Sequence, residues 1–307
     1  MGNIRCAPTF LDSANTLALG SVTAAGSVLS WLCCAYPSQL PIWTPWGFSW
    51  SEFCAFAVSL WWYGLGLSRT PGPMRPSKLR QLLFLAGMLL IYAVLQTHFE
   101  YAAEHMFCLN RVQQLVLHHL GPFLIALSWP GTTILRGMPA TLRRLLDAPF
   151  LARAPAVFMQ PVIARVLFVG LIFLWLIPPV YFQAMIDPGL YAVMNWSMVL
   201  DGLLFWCLVL DPRRAPPARL SHPACLLLAL GVQVPQIAGG AFIGFADHSF
   251  YAYYQLCGQL FPSVSGLLGQ EISGSVIWLG GGMMSAVAAL ILFERIRVDE
   301  VSGASRA

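Results

Sequence analysis

The sequence predicts an all-α, polytopic transmembrane helical bundle. Three observations predict it: an apolar composition, apolar stretches that recur at membrane-spanning length, and a one-sided distribution of basic residues. Of the 307 residues, 58% are hydrophobic and only 10% are charged, with a mean hydropathy of +0.69. Soluble domains carry about 25% charged residues. A bilayer accommodates the imbalance, because a helix satisfies its own backbone and can then be apolar all round. The net charge of +4 sits in short loops and does not point to nucleic acid. The eight cysteines are scattered, without a CxxC pair or a secreted disulfide pattern. No internal repeat, glycine-rich phosphate loop, GxSxG, HExxH or paired-carboxylate motif is present, so enzymatic turnover is not expected.

Taken in order, the chain reads as one integral membrane domain, 1–307. Residues 1–16 are poorly patterned. Thr16–Tyr36 is a first span or an uncleaved anchor; a cleaved signal is not expected, since Arg5 alone precedes it and no small-x-small site follows. Residues 37–50 hold Trp43, Trp46, Trp50 and three prolines without a charge, as an interfacial loop does. Further spans are expected at 51–68, 80–98, 107–129, 162–184, 190–210, 223–245 and 274–293. Each is near the ~20 residues that cross ~30 Å of hydrocarbon. The total is eight, or seven if the first is not a true span.

The loops support that count. Sixteen of the seventeen basic residues fall on one side under this alternation, from Arg5 through Arg69, Arg75, Lys78, Arg80, Arg136, Arg143, Arg144, Arg153, Arg165, Arg213, Arg214 and Arg219 to Arg295, Arg297 and Arg306. The positive-inside rule makes that side cytoplasmic and places both termini there. The 130–161 loop, rich in arginine and proline, is expected to hold a short amphipathic helix on the same surface. Arg111 alone lies on the other side, with Glu52, Glu100, Glu104, Asp187, Asp247, Glu271, His98, His105 and His248. That surface tolerates cations, although acids are also what remains once basic residues go inside.

Four of the six histidines lie between His98 and Pro122. If the fourth span is a helix starting near Glu104, then Glu104, Cys108, Arg111, Gln114 and His118 fall within an arc of roughly 120°, with His119 close by. His118 then lies roughly 20 Å along the axis from Glu104. An ionisable stripe at that depth faces a bundle interior or a wet cavity. On the sixth span Met194, Met198 and Asp201 share a face. Asp201 falls at a depth comparable with His118, so a pairing with His118 or His119 is expected. Gln233 and Gln236 flank Pro235 at mid-depth on the seventh span.

Imidazole and thioether together suit copper, Cu(I) above all. His105, Met106, His118, His119, Met194, Met198 and Asp201 are therefore the candidate metal contacts. The competing reading is interhelical polar packing, with methionine filling gaps. Haem is not expected, because no second helix carries a matching histidine pair. Cys33, Cys34, Cys54, Cys108 and Cys257 map to the outer half, where a thiolate pair could hold copper or form a disulfide in an oxidising compartment; isolated cysteines in apolar helices otherwise read as small hydrophobes. A transporter would need repeats or broken helices, and only Gln233-Val-Pro-Gln236 before Gly239-Gly240 hints at one.

Three stretches carry a resemblance to a known family. The first is Glu104-His105-Met106, Arg111, Gln113 and the run Leu117-His118-His119-Leu120-Gly121-Pro122-Phe123-Leu124, ending at Trp129-Pro130. The others are Asp201-Gly202-Leu203-Leu204-Phe205-Trp206 and Gln270-Glu271-Ile272-Ser273-Gly274 to Trp278. Over about residues 40–295 the chain resembles the CtaG-type cytochrome c oxidase assembly factors. The resemblance implies a multi-pass protein of the bacterial inner (plasma) membrane that handles or delivers copper, held transiently, to a haem–copper oxidase of the respiratory chain from the outer side. It implies oxidase subunits and other copper chaperones as partners, and no turnover. The chain departs from the family pattern at Asn110 and Gln114, where relatives tend to carry histidine, and at Gly269, where they carry aspartate. The alternative is therefore a non-metal accessory or scaffold subunit bound to the oxidase.

Overall fold

A computed structural model describes residues 9–148 and 157–304, apart from 38, 217, 252, 257 and 259. The start of the 1–16 segment, part of the 130–161 loop, Arg5, Arg153, Arg306 and Cys257 lie outside the described residues. All regular elements among the described residues are helical. They are α1 (Thr9–Ala35), α2 (Trp50–Arg69), α3 (Lys78–Gln96), α4 (His98–His105), α5 (Phe107–Leu115), a π-helical turn (Val116–Leu120) and α6 (Gly121–Ser128). The short α7 (Gly131–Gly137) and α8 (Ala140–Leu146) follow within the 130–161 stretch, then α9 (Pro161–Leu174), α10 (Pro178–Ile186) and α11 (Pro188–Val209). The chain closes with α12 (His222–Gly231), α13 (Gln233–Gly244), α14 (Tyr253–Leu256) and the long α15 (Gly266–Ala304).

Five helical stretches are long and apolar enough to cross a membrane: Ala18–Ala35, Lys78–Gln96, Pro188–Val209, His222–Gly244 and Gly266–Val301. The pair α9 and α10 is a sixth candidate, bent by 75°. Helices also occupy two other expected places, as α2 and as the composite α5–π–α6, but they are less uniformly apolar. In the composite the reason is plain, since Asn110, Arg111, Gln113, Gln114, His118 and His119 are all buried inside the bundle.

Two expectations need correction. The stretch 162–184 is not one straight span: Pro178 and Pro179 lack the N–H groups that would tie a helix back to the preceding turn, and the chain swings at 175–177. The fourth helix does not run through Glu104. Met106 adopts an extended conformation, φ −144° and ψ 122°, that ends α4 and starts α5, so Glu104 and His105 sit on a separate helix.

The α5–π–α6 composite is the axis of the bundle, packed by α3, α11 and α15. At its far end Trp129 turns left-handed (φ 52°), a conformation that stops a helix, and a separate helix, α7, begins after Pro130. One apolar cluster, built from Phe107, Leu117, Trp175, Tyr181, Met194 and Tyr251, lies towards the His105 end. A second, built from Phe123, Phe168, Phe205, Trp206, Val209 and Leu292, lies towards the other end. At that second end arginines gather: Arg69 donates to the Arg136 and Gly137 carbonyls, Arg136 to Thr70, and Arg295 to the Leu210 and Asp211 carbonyls.

Backbones approach most closely where α2 meets α7. A Cβ on Gly66 would collide with the Thr133 carbonyl, and one on Gly137 with the Trp62 carbonyl. Overpacking of this kind costs about 1–3 kcal/mol. Gly66→Ala is expected to lower the melting temperature of the detergent-purified protein. Gly64→Ala, with nothing within 4 Å of its Cβ, should leave it unchanged.

Candidate functional site

The site begins with a local anomaly. Val116–Leu120 winds as a π-helical turn, which carries His118 and His119 on consecutive positions. Such turns widen the helix and are frequent at functional sites. On α11, Gly202 permits the matching approach, since a Cβ there would strike the His118 carbonyl and sit 3.0 Å from Pro122 Cγ. That contact brings the preceding residue to the histidine: His118 Nε2 lies 3.0 Å from Asp201 Oδ2, both buried. His119 Nε2 lies 3.1 Å from Gln236 Oε1 on α13. The two imidazole centroids are 5.0 Å apart.

The hydrogen bonds fix the ring tautomers. A carboxylate only accepts, so His118 Nε2 donates to Asp201. The amide of Gln236 is oriented by its own N–H bond to the Val232 carbonyl, so Oε1 accepts from His119 Nε2. In the neutral rings both lone pairs then reside on Nδ1, and both Nδ1 atoms are buried with no hydrogen-bond partner. Phe168 stacks on His118 with centroids 4.1 Å apart, and Trp206 lies beyond His119 at 6.3 Å.

A cavity of about 30 Å³ opens beside His119, lined also by Arg111, Gln114, Met198, Gln236 and Ile277. It has room for one or two guests the size of water. Gln114 Nε2 donates to Asn195 Oδ1 at 2.8 Å, leaving Gln114 Oε1 unpartnered. Arg111 is 4% exposed, forms no ion pair among the described residues, and leaves its Nε without a partner. Its charge rests instead on Asn110 and on the faces of Phe107 and Tyr181, at 5.2 and 5.1 Å from the ring centroids. Deeper layers of the stripe are tied as well: Tyr191 donates to Gln113 Oε1 at 2.8 Å, and Gln113 to the Val94 carbonyl at 2.8 Å.

The seven expected metal contacts therefore divide. His118, His119, Met198 and Asp201 meet around the π turn. Met194 is fully buried on the same helix face, in the apolar cluster. His105 and Met106 do not join this group; they line a separate cavity of about 20 Å³ near the start of α5. The break at Met106 separates them. Gln236 was legible as a mid-depth polar residue. Asn195, Phe168 and the π turn were not, because nothing in an apolar helix marks which of its positions faces an imidazole. Gln270 proves to be a latch: it accepts from Phe250 N–H and donates to the Ile243 and His248 carbonyls, holding the 245–250 turn on α15.

At the His105 end, Glu100 on α4 is half-buried. Burial, reinforced by Glu52 and Glu104, pushes its carboxyl up to about 9.

The fold and site define a class: a polytopic α-helical membrane protein with a buried imidazole–carboxylate centre in its axial helix. The family model of the cytochrome c oxidase caa3 assembly factors matches residues 60–298, and the chain belongs to that family. No curated protein and no solved structure gives a significant match. Family members are assembly factors for cytochrome c oxidase, so the oxidase is the partner the family assigns.

Asp201→Ala leaves a buried imidazole N–H without an acceptor. It is expected to cost about 1–3 kcal/mol and to lower the melting temperature, whereas Asp201→Asn keeps an acceptor oxygen and should cost less. For Glu100 the sign runs the other way from a paired carboxylate. The folded chain holds this proton up to about pH 9. The stability it contributes is complete below the ordinary carboxylate range and falls as pH rises towards that value. Glu100→Gln should flatten the pH dependence of the melting temperature and raise it at pH 8.

Proposed function

We propose that this assembly factor handles Cu(I) for a haem–copper oxidase, at the His118–His119 centre, from the outer side of a bacterial inner membrane. The single observation that carries the proposal is the pair of tied imidazoles. Metal-binding histidines characteristically donate one ring N–H to a carboxylate or carbonyl partner, which orients the ring and leaves the other nitrogen for the ion. Asp201 and Gln236 supply those partners, and both Nδ1 atoms are left over. Met198 adds a thioether to the wall shared with His119.

The choice of ion follows from what surrounds the centre. Among the described residues no three His, Cys, Asp or Glu side chains close on one point. A harder ion that wants four or more such ligands is poorly served, whereas Cu(I) accepts two or three, thioether included. Arg111 lines the same cavity without a carboxylate. At a separation on the order of 6 Å and an effective dielectric near 20, it opposes a monovalent ion by about 3 kcal/mol and a divalent one by about twice that. The apolar cluster of Phe123, Phe168, Phe205 and Trp206 closes the arginine-rich side of the centre. A floor of that kind favours holding and handing back over transport across the membrane.

Copper per chain, measured by elemental analysis after anaerobic Cu(I) loading in detergent, tests the reading. The wild type should retain copper, and His118→Ala/His119→Ala should lose most of it. In cells, the double variant should lower oxidase copper loading at unchanged levels of this protein. A wild type that binds no Cu(I), and that stays with the oxidase one-to-one after mild extraction, would make the chain a non-metal scaffold. The hydrogen-bonded Asn110 and Gln114 would then be the marks of that change.

A further inference from the structure

We infer that Cys108, with His105 and Met106, forms a second soft-ion site at the opposite end of α5, one that receives Cu(I) before the His118–His119 centre; the inference rests on the copper reading above. The three residues line one cavity of about 20 Å³, enough for a single ion-sized guest. Their convergence is a product of the helix break. His105 ends α4, Met106 is extended, and Cys108 lies in the first turn of α5, so an imidazole, a thioether and a thiol from four consecutive positions reach one space.

Each donor is in a usable state. His105 Nδ1 lies 2.8 Å from the Tyr101 carbonyl, which only accepts, so Nδ1 carries the hydrogen and Nε2 the lone pair. Tyr101 also packs against the ring with centroids 4.1 Å apart and holds its orientation. Cys108 is a free thiol. Met106 is 4% exposed and Cys108 9%, so the sulfurs are sheltered, while His105 is only half-buried.

Charge makes the cysteine the member that matters. Phe107 forms part of the cavity wall, and the Arg111 guanidinium stands 5.2 Å from the centroid of that ring. A bare cation held by His105 and Met106 alone would face this unpaired charge. When Cu(I) binds Cys108, the S–H bond breaks as the S–Cu bond forms, and the proton passes to water at the mouth. Copper stays in the +1 state and the sulfur is not oxidised. The resulting thiolate–Cu(I) unit is neutral, and Arg111 no longer opposes it. At the inner centre no thiol accompanies the imidazoles among the described residues, and the nearest anion, Asp201, is already engaged by His118 Nε2, so an ion passing inwards loses its S–Cu bond and is held more weakly. A gradient of that sense suits a chain that accepts copper firmly and gives it up elsewhere.

The test uses the full-length protein in detergent, loaded anaerobically with Cu(I) and titrated with a chromophoric Cu(I) chelator. Maleimide labelling of Cys108 is followed by mass spectrometry in parallel. Cys108→Ser should lose one bound equivalent or weaken it by at least roughly tenfold, and Cu(I) should protect Cys108 from labelling in the wild type. His105→Ala should remove that protection. His118→Ala/His119→Ala should leave it intact. An unchanged Cu(I) titration in Cys108→Ser, with labelling indifferent to Cu(I), overturns this site. If copper is then lost only in the double-histidine variant, the inner centre stands by itself. If the wild type binds no Cu(I), both fall. Elution volume and helicity report whether each variant keeps its fold.

Discussion

A carboxylate and an imidazole 3.0 Å apart inside an apolar bundle govern how the central helices meet. Neither group is tolerable alone at that depth, because burial without a partner costs more than the exposed apolar surface returns. Together they fix the register of α11 against the π turn. Gly202 follows from that register, since the residue after Asp201 must lie flush against the His118 carbonyl. The aromatic shell follows as well: Phe168, Phe205 and Trp206 fill the space that two imidazoles on a widened turn leave around them.

Arg111 sets a second constraint. A guanidinium with no carboxylate partner among the described residues is stabilised in a membrane bundle by its polar and aromatic neighbours, here the faces of Phe107 and Tyr181, the Tyr181 hydroxyl and the Asn110 side-chain oxygen. It stands between the two small cavities, with Phe107 on one side and Gln114 on the other. The polar axis is therefore not a uniform wet channel. It is two small cavities with the Arg111 guanidinium between them. The break at Met106 and the π turn at 116–120 mark the two cavities along the same composite helix.

Much of this is legible in the amino-acid sequence. Composition and the positive-inside bias give the class, because the bilayer imposes one solution on backbone hydrogen bonding. Helical spacing brought Met194, Met198 and Asp201 to one face, and depth counting put Asp201 level with His118. The straight-helix assumption then failed in three places. Counting 100° per residue from Glu104 carries across Met106 as though the helix continued, and it places Glu104 on the same stripe as His118. The same counting cannot see a π turn, whose extra residue shifts everything after it. It also drew one span through Pro178, where the chain bends by 75°.

Sequence by itself determined that this chain is a helical membrane protein of the cytochrome c oxidase assembly-factor family and that its rare ionisable residues gather between His98 and Pro122, because burial of such residues is costly enough to be conspicuous. Tertiary structure chose His118 over His119 as the partner of Asp201, which the sequence had left open, and it alone decided the other groupings: His119 with Gln236 and Met198, and His105 with Met106 and Cys108. The reason is physical. Partners on different helices are joined by packing contacts that carry no period along the chain, and a single extended residue or one wide turn redirects every side chain beyond it.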